Sequence, residues 1–135
     1  MTARYKLVIF DMDQTLIDET LYLDAEYIIK HFNKFNINMS IASFNKHAQW
    51  FCDRYDISKY FDIICGYYNT GKLNHIKKIK EFYNANGYEI YDRDIIFFDD
   101  DIINISEVRN NSSITCVKIN PKIGINKNVI KIVIN

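Results

Sequence analysis

The feature that most constrains this chain is an alternation of short apolar runs with helical patterns. Leu7-Val8-Ile9-Phe10, Asn38 to Ala42, Asp62-Ile63-Ile64-Cys65, Ile95-Ile96-Phe97-Phe98 and Ile114 to Ile119 read as strands. Between them, Leu21 to Phe35 places Leu21, Ala25, Ile28, Ile29 and Phe32 at helical spacing. Lys46 to Tyr55 is a second helix candidate. A third carries Leu73, Ile76, Ile79, Phe82 and Tyr83 on one face, with Lys77, Lys78 and Lys80 toward water, and ends at Asn86-Gly87. A fourth runs to about Arg109, and Val129 to Ile134 reads as a sixth strand at an edge. Strands alternating with helices predict an α/β protein with a parallel sheet, whose ligands bind at the carboxyl ends of the strands.

Composition bounds the rest. A chain of 135 residues is expected to form one domain, 1–135, and to bury roughly two-thirds of its unfolded surface. Seventeen basic and 17 acidic side chains balance to zero, which excludes a strongly basic nucleic-acid binder. No apolar run is long enough to span a membrane. Leu7–Phe10 is too short for a signal peptide and is cut off by Asp11. Cys52, Cys65 and Cys116 have no metal-like spacing, and their odd number suits buried thiols in a reducing, cytoplasmic compartment. His31, His47 and His75 are scattered and read as surface or helix residues. Trp50 and Phe51 read as packing residues.

The strand ends carry the chemistry. The first runs into Asp11-Met12-Asp13-Gln14-Thr15-Leu16 and the fourth into Asp99-Asp100-Asp101. Two carboxylates roughly 5 Å apart repel by about 3 kcal/mol at an effective dielectric near 20. If the two strands are neighbours, a divalent cation would relieve that strain, and all-oxygen ligands favour Mg²⁺. Asp101 is the expected cap of the following helix. Gly71-Lys72 precedes a helix, where the macrodipole disfavours a lysine, so its position suggests anion binding. Ser43 closes the second strand at a plausible phosphate cradle. Each feature alone is an ordinary turn, cap or solvated side chain. Together they fall at four strand ends in order.

This constellation resembles the haloacid dehalogenase superfamily of aspartate-nucleophile phosphohydrolases. The first motif matches Asp11-Met12-Asp13-Gln14-Thr15, the second Ser43, the third Lys72 and the fourth Asp99-Asp100. The chain looks most like the magnesium-dependent phosphatases, on Phe98-Asp99-Asp100, Asn104, Ile114-Thr115-Cys116-Val117-Lys118-Ile119 and Asp56-Ile57-Ser58-Lys59-Tyr60-Phe61. That family typically places Arg after the second-motif serine, where this chain has Phe44. The Gln14 form of the first motif also resembles the C-terminal-domain phosphatases of RNA polymerase II, whose fourth motif differs.

The resemblance implies a Rossmann-like three-layer α/β/α sandwich and a phosphomonoesterase with Mg²⁺. It implies Asp11 as nucleophile, Asp13 as acid and base, and Thr15 as the residue that orients Asp13. Ser43, the Phe44 position and Lys72 would hold the phosphate. Asp11, Asp13 through its carbonyl, Asp99 and Asp100 would bind the metal, with Asn104 steadying Lys72. The intervals Leu16 to Ile41 and Asn45 to Gly71 leave no room for a folded cap, so the site should stay open to a bulky phosphoprotein, nucleic-acid end or phosphosugar.

Three rivals compete. Gly66-Tyr67-Tyr68-Asn69-Thr70-Gly71-Lys72 matches a phosphate-binding P-loop, but Leu73 stands where that motif needs Ser or Thr. A receiver domain needs its acidic pair early and its lysine late, the reverse of this order. A non-catalytic phospho-ligand module has nothing in its favour, since every expected position is filled. Tyr67 and Tyr68 lie in the loop before Lys72, where they face either a substrate or solvent.

Overall fold

The computed structural model describes residues 2–135. Five parallel strands form one sheet in the order β3-β2-β1-β4-β5. They are β1 (Leu7–Phe10), β2 (Asn38–Ser43), β3 (Ile63–Gly66), β4 (Ile95–Asp99) and β5 (Thr115–Lys118). The connecting helices are α1 (Ala25–Lys34), α2 (Ala48–Arg54), α3 (Lys72–Ala85) and α4 (Ile102–Asn111). β1 is central because all four of its residues are apolar and can be buried on both faces.

Strand alternation divides the core in two. Val8, Phe10, Met39, Ile41, Ile96 and Phe98 point to one face, where Ile28, Ile29 and Phe32 of α1 and Ala48 and Cys52 of α2 cover them. Leu7, Ile9, Ala42, Cys65, Ile95 and Phe97 point to the other, against Ile76, Ile79 and Tyr83 of α3 and Ile105 and Val108 of α4. The result is the expected three-layer α/β/α sandwich. Phe10 anchors the first face, its ring stacked on Phe98 at 5.7 Å and edge-on to Phe61 at 6.2 Å. α3 ends where predicted, with Gly87 in the left-handed region at φ 84°.

Two expectations are corrected. Val129 to Ile134 is not an edge strand. Lys127–Val129 forms a 3-10 turn and Ile130–Val133 a short helix, α5. The β-branched run suggested a strand, but helical spacing lets Val129 and Val133 both bury against the α1 face, and that packing outweighs propensity. Ile134 makes only an isolated bridge to Ala3. Trp50 is not a core residue: on α2, Ala48 and Cys52 point inward, leaving Trp50 56% exposed against Phe51 and Arg54. Phe51 is only partly buried.

His75 lies on α3, within the expected reading as a helix residue, and it is fully buried. Its Nε2 lies 2.9 Å from the Tyr67 carbonyl, and Nδ1 has no partner. Burial holds the imidazole below its ordinary 6.5. A second buried polar group is Tyr83, whose hydroxyl lies 2.6 Å from Ser40 Oγ and donates to Asp62 Oδ2 at 2.9 Å, tying α3 to β2 and the start of β3.

Two stability predictions follow from these buried groups. Removing the Tyr83 hydroxyl orphans Ser40, so Tyr83→Phe should lower unfolding free energy by about 1–3 kcal/mol in urea titrations. Unfolded His75 takes up a proton that the folded state resists, so its contribution is complete above the ordinary histidine range and is lost as pH falls through it. Wild type should therefore lose stability relative to His75→Phe between about pH 8 and about pH 5.5. A pH-independent difference between the two would contradict the buried neutral imidazole.

Candidate active site

Sheet register brings the acidic strand ends together. Phe10 pairs with Ile41 on one side and Phe98 on the other, so Asp11 emerges beside Ala42 and Asp99. The Asp11 amide donates to the Phe98 carbonyl at 2.9 Å, which extends the ladder by one bond. Strand order reverses between β1 and β4, the place where open α/β sheets form a ligand crevice.

Lys72, the first residue of α3, reaches this crevice from below and is 1% exposed. Its ammonium donates to Asp11 Oδ1 at 2.8 Å, the Ala42 carbonyl at 2.8 Å and Asp99 Oδ2 at 3.0 Å. Those three bonds use all three of its protons. Burial acts to lower the lysine's pKa, but the Asp11 and Asp99 charges outweigh it and hold the ammonium above its ordinary 10.5. Burial pushes the Asp11 carboxyl upward, with Lys72 opposing and Asp99 adding to the push.

The loop after β1 is a tight turn. Gln14 takes φ 61°, and the amides of Leu16 and Ile17 both donate to the Met12 carbonyl. Thr15 is buried with Oγ1 3.5 Å from Asp11 Oδ2. It therefore stands beside Asp11, not Asp13 as expected. Asp13 is exposed, and its Oδ1 accepts from Asn45 Nδ2 at 3.1 Å. Ser43 is buried, and its Oγ accepts from the Asn45 amide at 3.0 Å. Asn45 thus ties the second strand end to the first loop. Sequence reading passed it over, although an Asn two residues past a strand-end Ser is a turn signal.

At the end of β4 the carboxylates divide their work. Asp99 is fully buried and accepts from Lys72, from Asn104 Nδ2 at 3.1 Å and from the Asp101 amide at 2.9 Å. Asn104 therefore touches Asp99 and reaches Lys72 through it, an indirect contact of the kind expected of a residue that steadies Lys72. Asp101 caps α4 as expected, accepting from the Ile103 amide at 2.8 Å. Asp100 is half-buried, and burial pushes its carboxyl above the usual range while a bond to Asp11 pulls it down. Asp11, Asp99 and Asp100 each offer an oxygen within 4.8 Å of the others. Three carboxylates against one lysine leave a deficit of positive charge that a hard divalent cation fits.

The P-loop reading fails on geometry. The N-terminus of α3 already holds an anion: the Glu107 carboxylate of α4 accepts from the Leu73 amide at 3.2 Å. Gly71 lets that carboxylate sit close against the backbone, and a Cβ there would displace the end of the Glu107 side chain. Nothing near Lys72 in the sequence signals Glu107, which lies a helix, a loop and a strand away.

A cavity of about 180 Å³ gathers Asp11, Asp13, Ser43, Phe44, Lys72 and Asp100, with Asn104 at its side. Phe44 lies with its ring centroid 5.0 Å from the Lys72 ammonium. From the loop after β3, Tyr68 lies against Phe44 and Tyr67 stacks on His75. The larger clefts around Gly87 to Arg93 open at the amino ends of the strands and hold no such cluster.

Comparison with known proteins gives a family and a fold. A family model described as acid phosphatase matches residues 17–135, a span that begins just past the Asp11–Leu16 turn. A search of curated proteins returns no match. Among solved structures, a candidate phosphatase from Clostridium difficile superposes with TM-score 0.78 at 15% identity, covering 95% of this chain and 97% of that one. A haloacid dehalogenase-like hydrolase from Streptococcus pneumoniae gives 0.73 at 11% identity, covering 95% and 90%. A hydrolase of the same superfamily from Ehrlichia chaffeensis gives 0.65 at 16% identity, covering 98% and 95%. At these identities the likeness is one of fold. No helix is long and apolar enough to cross a membrane among the described residues. With most of its length matched by the family model, the chain belongs to the acid phosphatase family and is a phosphatase on the haloacid dehalogenase fold.

Proposed function

We propose that the protein hydrolyses phosphomonoesters through an aspartyl-phosphate on Asp11, with Mg²⁺ bound beside it. The observation that carries this reading is the buried Lys72 ammonium held between Asp11 and Asp99 at the floor of a cavity that Asp13 also lines. A carboxylate is a weak nucleophile and needs its target held in line and its charge offset. Lys72 and the strand register supply a fixed direction for the Asp11 oxygens.

In the first step an Asp11 carboxylate oxygen attacks phosphorus, and the bond from phosphorus to the leaving oxygen breaks. Asp13, exposed at the rim and positioned by Asn45, gives its proton to that oxygen. In the second step Asp13 takes a proton from water, the water oxygen attacks phosphorus, and Asp11 leaves as a carboxylate. The Ser43 hydroxyl donates to a non-bridging oxygen, and Lys72, whose protons are engaged by Asp11, Asp99 and the Ala42 carbonyl, offsets the phosphoryl charge from the cavity floor. Asp11, Asp100 and the Asp13 carbonyl would hold Mg²⁺, with Asp99 as helper because its oxygens already serve Lys72, Asn104 and Asp101. When bound, the cation supplies charge neutralisation for the phosphoryl group.

Only α1 and its loops separate β1 from β2, and only α2, a turn and a loop separate β2 from β3. The domain is therefore read as capless, with an open mouth that suits a bulky phosphorylated substrate.

Two measurements test the mechanism. Phosphate release from an aryl phosphate should require Mg²⁺, stop in EDTA and vanish in Asp11→Asn; undiminished release in that variant would overturn the nucleophile assignment. Asp13→Asn should cost about 10²–10⁴ in kcat. The loss should be larger for alkyl esters, whose leaving oxygen needs the proton, than for aryl esters. Equal losses would remove Asp13 from the acid role.

A further inference from the structure

The residue after the second-strand serine is Phe44, and its surroundings make it more than a filler. Its ring lines the phosphate cavity, half-buried, 5.0 Å from the Lys72 ammonium. Beneath it, buried His75 meets it edge-on at 5.3 Å and stacks on Tyr67 at 4.6 Å and 30°. The His75 bond to the Tyr67 carbonyl fixes the loop that carries both tyrosines. Beside it, Tyr68 lies at 6.2 Å and 45°, yet is 81% exposed. An aromatic wall thus rises from the phosphate site to solvent, held rigidly at its base and bare at its top.

A rigid wall of π faces has a specific affinity. Aromatic rings prefer offset or edge contacts with other rings, beyond what apolar area alone gives. The wall begins at the cavity that would take the phosphoryl group, so a group stacked on it is one bonded to the phosphate oxygen. We infer that Phe44 and Tyr68 form the leaving-group subsite of this phosphatase and select esters whose leaving group carries a planar aromatic ring. The inference rests on the reading of Asp11 and Lys72 as the phosphoryl site. It assigns the position after Ser43 to the leaving group and not to the phosphate.

The test compares benzyl phosphate with cyclohexylmethyl phosphate. Both leaving groups are primary alcohols of similar size, so the pair isolates planarity from leaving-group quality and bulk. Wild type should favour the benzyl ester by about three- to tenfold in kcat/KM. Tyr68→Ala should bring that ratio close to one, and Tyr68→Phe should keep it. Phe44→Leu should also collapse it, while circular dichroism confirms that the variant is folded. A merely structural role for Tyr68 would lower both rates together and leave the ratio unchanged. A wild-type ratio near one, or a ratio that survives Tyr68→Ala and Phe44→Leu, overturns the subsite and leaves the phosphatase reading standing. Absence of Mg²⁺-dependent release from either ester, or release undiminished in Asp11→Asn, overturns that reading and the subsite with it.

Discussion

Everything at the carboxyl edge of the sheet depends on one buried ammonium. Lys72 is enclosed by protein and spends its three protons on Asp11, Asp99 and the Ala42 carbonyl. Without it, two buried carboxylates would face each other across adjacent strands with nothing to offset their charge. Removing one partner of such a buried network typically costs about 3–5 kcal/mol. The same contact that makes the site tolerable to the fold orients the Asp11 oxygens. On the proposed mechanism, stability and chemistry are therefore coupled at this residue.

The topology makes that contact possible. A parallel sheet with β1 in the middle presents the ends of β2 and β4 on either side of Asp11. α3 returns with its first residue under the crevice, and its own N-terminus is satisfied by Glu107 from α4. That carboxylate occupies the place where an anionic ligand would otherwise sit on the helix dipole. The open end of Lys72's environment is then the cavity, with the aromatic residues of the β2 and β3 loops rising along one side.

Much of this was legible in the sequence because it is local. The apolar runs mark strands, and Asp11, Ser43, Lys72 and Asp99 mark the ends of elements. What the sequence hid depends on contacts between distant segments. Glu107 looks like an ordinary surface residue of α4 until Gly71 packs against it. Thr15 turns toward Asp11 because of how the Met12–Ile17 turn closes, which no pairwise spacing reveals. Asn104 reaches Lys72 by way of Asp99, whose Oδ2 accepts from both. His75 lies on the buried side of α3, where Phe44 and Tyr67, from the loops after β2 and β3, cover it. Val129 to Ile134 has the composition of a strand, and only the pocket beside α1 makes helical spacing better.

The central claim is that Lys72 and the strand-end carboxylates form one energetically coupled unit. A double-mutant cycle on Lys72→Met and Asp99→Asn, read by urea unfolding in metal-free buffer, tests it most directly. The account predicts a coupling energy of about 2 kcal/mol or more, with the double variant more stable than Lys72→Met alone, because neutralising Asp99 relieves the charge that Lys72 had offset. Effects that add within about 0.5 kcal/mol would contradict it.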